Sequence, residues 1–391
     1  MRVSLAKILE ISEKIEKKYE DMTSELMIML AEYLKPEGNN YLFEKMSQYG
    51  DVNDKARKII LRYAKGNSKA VKDTLNEVSA IALNDVEEAL KQASERGELK
   101  EAPPIEESDA LNALLLGELS FIMNKLNEVN LTTYASTMET FQKTVNKIST
   151  ELSRAKLETE WKVIEQGINE VVVDREITLK AVEKAVNNLS EEGITGFVTK
   201  SGREWYPDTY SGLVIRTEAH NYAIDCIKER QQDYGTDLFQ VSSHSGARPL
   251  CYPYQNMILS WNSPSGAFVD GSGSKIEYTN INETSYGEPA GLFGINCGHY
   301  PLPIIPYVSI VHDQPVQDES LNNKEYQESQ EQRRLEREIR QAKREYEMQK
   351  ASGNEDLEKY RERVSDKQKD MRVFIDETGR TRRYDREKLF E

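Results

Sequence analysis

Apolar residues at the start of the chain recur at helical spacing. Each lies three or four positions from the next, so that all of them share one face of a long helix: Leu5, Ile8, Ile11, Ile15, Tyr19, Met22 and Leu26. The segment PEGNN, which begins at Pro36 and includes Gly38, combines a helix breaker with turn formers and should end this helix. Because an apolar stripe is unfavourable in water, we expect a partner surface to cover it.

Further helical patterns fill the rest of the N-terminal half. Short ones run from Ile59 to Tyr63 and from Val71 to Ile81, and the pair Pro103-Pro104 then forces an extended break. The helical period resumes in a second stripe, formed by Leu111, Leu115, Leu119, Ile122 and Leu126 and widened by Leu114 and Phe121. Few glycines occur from 133 to 190. We therefore predict two helical regions, residues 1–102 and 105–192.

The composition changes at Gly193. Gly, Ser, Tyr, Pro and Asn become frequent, and short apolar runs such as DLFQV alternate with turn signals such as Ser272-Gly273-Ser274. One helical pattern interrupts this region, between Tyr210 and Arg230. The pattern predicts a compact α+β core domain over residues 193–312.

Charged residues and glutamine dominate the chain after Pro315. Two heptad-like apolar seams, separated by the segment ASGN at 351–354, are formed by Leu335, Ile339, Ala342 and Tyr346 and by Leu357, Val364 and Met371. They predict a C-terminal helical hairpin or coiled-coil tail over residues 316–391. Such a tail is either a solvated helix pair on the surface or an arm that binds another protein. The predicted fold class is thus α+β, with a largely helical N-terminal half.

Composition narrows the classes of protein that fit. Of the 391 residues, 38% are hydrophobic and 30% are charged, a ratio that favours elongated helices over one compact globule. The net charge of −15 means that any contact with DNA must be local. No apolar stretch approaches the roughly 20 residues that cross a bilayer, and the charged, amphipathic start does not resemble a signal peptide. Three cysteines are a sparse, odd set that fits a reducing compartment.

The richest polar cluster lies in two segments of the predicted core domain, 242–255 and 294–301. They contain four potential metal ligands, His244, Cys251, Cys297 and His299. A structural zinc site takes four such groups, usually as two close pairs with two to four residues between the members. Only one residue separates the last two ligands, and the first two are loosely spaced. The spacing therefore favours buried cysteines and hydrogen-bonded histidines without a cofactor, and zinc stays as the alternative.

Motifs for catalysis and nucleotide binding do not occur in the sequence. There is no Gly-x-Ser-x-Gly elbow, no phosphate-binding loop and no Gly-x-Gly-x-x-Gly fingerprint. Arg216, Ser242 or Ser243, and Glu288 loosely resemble the residue set of ADP-ribosyltransferases, but these are common residue types without fixed spacing. We therefore predict that the chain is not an enzyme.

Polar residues also fall within the predicted helix of the core domain, namely Arg216, Thr217, Glu218 and His220. An arginine there could orient loop carbonyls or bind an acidic partner. The simpler interpretation is a solvated helix face with one residue packed on the core.

Rare residue types follow one another in a fixed order between 214 and 309. The order is Arg216-Thr217-Glu218, then Ser242-Ser243-His244 with Gly246-Ala247-Arg248-Pro249, Tyr254-Gln255, Trp261, and Gly294-Ile295-Asn296-Cys297 with His299 and Pro301. In this order the chain resembles the tailed-phage minor capsid protein 2 family, a group of minor head proteins. The amphipathic start and the Arg-rich tail are similar to that family as well. One departure is Gly298, where the family has a basic residue.

The resemblance implies a structural role. It implies a virion head component that is made in the host cytoplasm and associates with the portal protein and the major capsid protein during head assembly. It allows contact with packaged DNA, and it marks Arg216, Glu218, Arg248 and Asn296 as family-motif residues. The alternatives are an ADP-ribosyltransferase-like or nuclease-type enzyme carried in the virion, and a cytoplasmic coiled-coil scaffold protein.

Overall fold

The computed structural model describes residues 5–37, 41–166 and 175–390, and only the backbone of 5–11, 85, 158–166 and 175. It confirms the predicted α+β class, with a helical N-terminal half and C-terminal helices. The helices are α1 (Leu5–Leu34), α2 (Tyr41–Ser47), α3 (Tyr49–Ala64), α4 (Asn67–Glu95), α5 (Asp109–Gln166), α6 (Arg175–Glu192), α7 (Pro207–Asp233), α8 (Glu319–Ala351) and α9 (Glu358–Thr378). None of the described helices is long and apolar enough to cross a membrane.

The strands are short and lie between α6 and α8. They are β1 (Phe197–Val198), β2 (Glu204–Trp205), β3 (Leu238–Val241), β4 (Ile258–Ser260), β5 (Gly266–Val269), β6 (Lys275–Asn280) and β7 (Pro301–Ile304). Strands β1 and β2 form a small antiparallel pair, and the other five strands form one sheet.

Helix α1 follows the predicted apolar stripe and ends before Pro36, whereas Gly38 lies outside the described residues. The side chains of the first three stripe residues are not described. The remaining four, Ile15, Tyr19, Met22 and Leu26, are buried by the chain itself. Other parts of the same chain therefore supply the partner surface for these four residues, and a second protein is not needed to cover them.

The extended break at Pro103-Pro104 lies between α4 and α5, as predicted. The side chain of Ser108 caps α5 by accepting a hydrogen bond from Leu111 N at 3.3 Å. Helix α5 then continues to Gln166, well beyond the stripe that ends at Leu126. The predicted helicity of 167–174 falls outside the described residues.

The chain divides into two compact units, each assembled from segments that are distant in sequence. Unit 1 comprises Met1–Glu16, Gly66–Leu126 and Ser211–Gln330. Unit 2 comprises Lys17–Lys65, Asn127–Tyr210 and Glu331–Glu391. The predicted division into four consecutive domains stays a prediction.

Unit 1 contains the five-stranded sheet, in the order β5-β6-β4-β3-β7. Neighbours are antiparallel except β4 and β6, which are parallel. One apolar cluster of the sheet is formed by Leu238, Ile258, Phe268 and Ile304. Phe239, the next residue of β3, stacks on Trp261 with ring centroids 4.2 Å apart. Gln231 of α7 accepts from Trp261 Nε1 at 3.0 Å and donates to Leu238 O at 2.8 Å, which fixes α7 on the sheet.

Unit 2 contains most of the predicted helical hairpin, namely α9 and the part of α8 from Glu331 onward, whereas the first turns of α8 belong to unit 1. Leu335 and Ile339 of α8 pack with Met371 of α9 in a common apolar cluster. Polar contacts then hold the hairpin to other helices of the unit: Arg340 pairs with Glu20 of α1 at 2.9 Å, and Gln349 Nε2 donates to Glu183 O of α6 at 3.0 Å. This part of the hairpin therefore packs within a compact unit and does not project from it as an arm.

Candidate functional site

The structure brings together three of the four potential metal ligands. One ligand atom each from Cys251, Cys297 and His299 lies within 4.8 Å of the other two, and all three residues are buried. Cys297 Sγ is 3.3 Å from His299 Nδ1. The fourth residue, His244, lies beside them, with its ring centroid 4.4 Å from that of His299. We refer to these four residues as the Cys/His cluster.

Strand pairing explains why segments more than 40 positions apart meet here. Strands β3 and β7 are antiparallel neighbours, so the chain leaving β3 runs beside the chain entering β7. The pairing continues past both strands, because Ser242 N donates to Tyr300 O at 2.9 Å and Tyr300 N donates to Ser242 Oγ at 2.8 Å. This places His244 and His299 next to each other.

Tight turns position the two cysteines. Cys251 N donates to Arg248 O at 2.9 Å and starts the short helix Tyr252–Tyr254, while Cys297 N donates to Gly294 O at 2.9 Å. The guanidinium of Arg248 donates to Ile295 O and thereby connects the two turns. Cys251 Sγ also lies 3.4 Å from Gly291 O, which is a second connection.

Backbone geometry in the loop before Cys297 requires particular residues. A Cβ at Gly291 would lie 1.9 Å from Ser285 O, so only glycine allows this close approach. Asn296 adopts the left-handed region at φ 56°, which asparagine tolerates better than most residues. The family-motif residues Arg248 and Asn296 thus shape the loop that carries Cys297.

His220 of α7 lies directly beside the Cys/His cluster, although the sequence analysis assigned it no role there. It is buried, its ring centroid is 4.6 Å from that of Tyr300, and it lowers the pKa of Cys297. The sequence does contain a signal for the burial of His220. The apolar residues Ala223 and Ile227 lie three and seven positions later, on the same helix face, and both are buried. Helical periodicity therefore placed His220 on the buried face of α7, not on a solvated one.

The cluster favours one thiolate. A hydrogen bond from Cys251 lowers the pKa of Cys297, and His220 and His299 lower it further, against the effect of burial. The hydrogen bond to Cys297 raises the pKa of Cys251, and burial adds to this. Burial and the nearby His299 lower the pKa of His244, which favours its neutral imidazole. A thiolate beside imidazole nitrogens is a donor set that suits a soft or borderline metal ion, and its burial does not suit a nucleophile that must meet a substrate.

The remaining family-motif residues lie elsewhere in unit 1. Arg216 forms an ion pair with Glu16 of α1. Burial raises the pKa of Glu218, and nearby Asp225 raises it further. Glu118 of α5 belongs to the same acidic group, and burial together with Glu218 and Asp225 raises its pKa to about 7.

The residues that resemble an ADP-ribosyltransferase set have structural contacts. Ser242 Oγ accepts from Tyr300 N, and Ser243 Oγ donates to Pro315 O at 2.8 Å. Arg216 is occupied by its ion pair with Glu16, while Glu288 is exposed in a loop. These contacts explain Arg216, Ser242 and Ser243 as parts of the fold.

Comparison with known proteins shows how far the family pattern extends. The chain matches the family described as phage minor capsid protein 2 over residues 6–376. It belongs to this family. The predicted resemblance is therefore confirmed, and the match includes the Cys/His cluster together with helices of both units. No solved structure matches this chain.

Two relatives of this chain are phage structural proteins. A structural protein of Lactococcus phage LL-H is 30% identical over 235 residues, which cover 58% of this chain and 61% of the relative. A structural protein of Lactococcus phage mv4 is 35% identical over 116 residues, which cover 29% of this chain and 93% of the relative. The chain thus spans less than two thirds of the first relative's length. Membership in the family indicates a virion location.

Proposed function

We propose that this chain is a minor head protein that associates with the portal protein and the major capsid protein while heads assemble in the host cytoplasm. The observation that carries the proposal is the match to a minor capsid family over residues 6–376. A match of this extent includes most of the polypeptide, so the role belongs to the whole chain and not to one inserted segment.

The physical character of the site agrees with a structural role. The thiols and His299 of the Cys/His cluster are buried, and their hydrogen bonds connect loops of the same unit. Such a cluster stabilises a fold, and its thiols are buried away from any substrate in solution. The net charge of −15 limits DNA contact to local patches, so protein partners account better for association than packaged DNA does.

Affinity capture from infected cells tests the proposed partners. Infected cells are mildly cross-linked before the phage lyses them, and the full chain, tagged at its C-terminus, is then purified from the broken cells. A tagged phage lysis protein serves as the control bait. We expect the portal and major capsid proteins to be enriched with the tagged chain and not with the control. Cross-links that connect it only to tail proteins or host proteins would contradict the proposal.

A further inference from the structure

We propose that unit 1 holds one structural zinc ion, bound by Cys251, Cys297, His299 and His244. Neither the family description nor the relatives' names assign a metal to this chain. Three of the ligand atoms already lie within 4.8 Å of one another in the buried part of the unit.

The composition of the cluster points to a metal. The chain has only four histidines and three cysteines, yet three of those histidines, including His220, and two of those cysteines meet at this one place. Thiolate sulfur and imidazole nitrogen are the ligands that structural zinc prefers, whereas magnesium and calcium prefer oxygen. Buried cysteines that only filled space would not need histidines around them.

Distances fit a tetrahedral ion. Zinc–sulfur bonds of about 2.3 Å and zinc–nitrogen bonds of about 2.0 Å place neighbouring ligand atoms roughly 3.5 Å apart. The observed 3.3 Å between Cys297 Sγ and His299 Nδ1 is close to this separation. The limit of 4.8 Å for Cys251, Cys297 and His299 leaves only a small contraction for these three ligands. His244 lies outside this set, with its ring centroid 4.4 Å from that of His299, and completes the site by a movement of its ring.

His244 has the orientation of a zinc ligand. Its Nδ1 is 2.9 Å from Ser245 O, so the ring donates there and carries its free lone pair on Nε2. This Nε2 is buried and finds no hydrogen-bond partner among the described residues. Metal-binding histidines are typically held in this way, by one ring nitrogen on a backbone carbonyl. His220 lies beside Cys297, and its two buried ring nitrogens also find no hydrogen-bond partner among the described residues, so it is the competing candidate for the fourth position.

The ion would be structural and not catalytic. Four protein ligands complete the tetrahedron, whereas catalytic zinc keeps one position for water or substrate. The ligands come from the chain after β3, the turn before Tyr252 and the chain before β7. One ion therefore fastens three loops of unit 1 to each other, and its binding free energy contributes to folding.

Metal content and cobalt spectroscopy of the purified full chain test the proposal directly. We expect one equivalent of zinc after purification without chelator. After exchange, cobalt should give the intense thiolate charge-transfer absorption and the visible bands of a tetrahedral site. X-ray absorption at the zinc edge should count two sulfur and two nitrogen ligands. Less than a tenth of an equivalent, with no cobalt bands after incubation with the metal alone, would overturn the proposal.

Matched variants separate ligands from neighbours. Loss of an outer-shell partner weakens metal affinity by roughly 10- to 100-fold, and loss of a ligand should exceed that range. We therefore expect His244→Gln to weaken zinc affinity more than His220→Gln does, and Cys297→Ser to reduce the charge-transfer absorption, because only Cys251 then supplies a thiolate. Cys226→Ser and His312→Gln remove the same residue types outside the cluster and should leave affinity unchanged. If His220→Gln had the larger effect, the assignment of His244 would be wrong.

Discussion

Glu118 is a residue whose protonation state should control stability. Its pKa of about 7 lies above the ordinary 4.5 because burial, Glu218 and Asp225 disfavour the carboxylate. Between pH 4.5 and pH 7, Glu118 stays protonated in the folded chain but is ionised in the unfolded chain. The resulting stabilisation is complete below pH 4.5 and is lost as the pH rises through 7.

Replacement of Glu118 by glutamine should remove this dependence. Glutamine keeps the shape and cannot ionise, so Glu118→Gln should melt at a higher temperature than the parent at pH 8. The difference in melting temperature between pH 5 and pH 8 should also shrink. Glu106→Gln, an exposed carboxylate in the same unit, is the control and should change neither quantity. Equal pH profiles for the parent and Glu118→Gln would refute this explanation.

The sequence predicted only some of the residues that meet at the Cys/His cluster. The two polar segments and their four potential ligands were evident from residue type. His220 was missed, because it lies in a helix more than 20 positions from the nearest segment. Only strand pairing and the packing of α7 on the sheet bring it to Cys297.

Substitutions in α1 can test whether its apolar stripe is buried within the chain or against another protein. Leu26 is fully buried within the chain, whereas Leu131 of α5, also in unit 2, is 72% exposed. Leu26→Asp places an unpaired charge in the interior and should leave little folded protein. Leu131→Asp should keep the parent's melting temperature. If Leu26→Asp were as stable as the parent and failed only to enter heads, the stripe would be an assembly surface after all.

The first turns of α8 hold the loop that carries the Cys/His cluster. The side-chain amide of Asn322 accepts from Ala247 N at 2.7 Å and donates to Ala247 O at 2.8 Å, and both residues are buried. Asn322→Ala leaves two buried backbone groups unpaired, at a cost of roughly 1–3 kcal/mol for each. Chemical denaturation should show this loss, while the neighbouring Asn323→Ala should show almost none. An unchanged midpoint for Asn322→Ala would mean that the contact does not stabilise the loop.

Helices were easier to predict than sheet order. The 3.6-residue period located α1, α4, α7 and the C-terminal hairpin, because each helix repeats its pattern over several turns. Strand order depends on pairing between distant segments, and β3 pairs with β7 more than 60 positions later. Nothing in a four-residue strand such as LFQV specifies that neighbour.

The whole molecule consists of two compact units, each built from three separated segments. Periodicity reports only on neighbours within a few turns, so it cannot show that the chain returns to a unit it has left. The family pattern is the feature of the sequence that spans both units, and it points to a virion component.

Quantitative mass spectrometry of purified virions tests the central conclusion most directly. Complete phage particles and DNA-filled heads without tails are separated on density gradients, and the chain is measured relative to the portal protein. We expect the same ratio of this chain to portal protein in both preparations, because a minor head protein stays with the head. Absence of the chain from both preparations, with all of it in the soluble lysate, would contradict the assignment and favour a cytoplasmic scaffold.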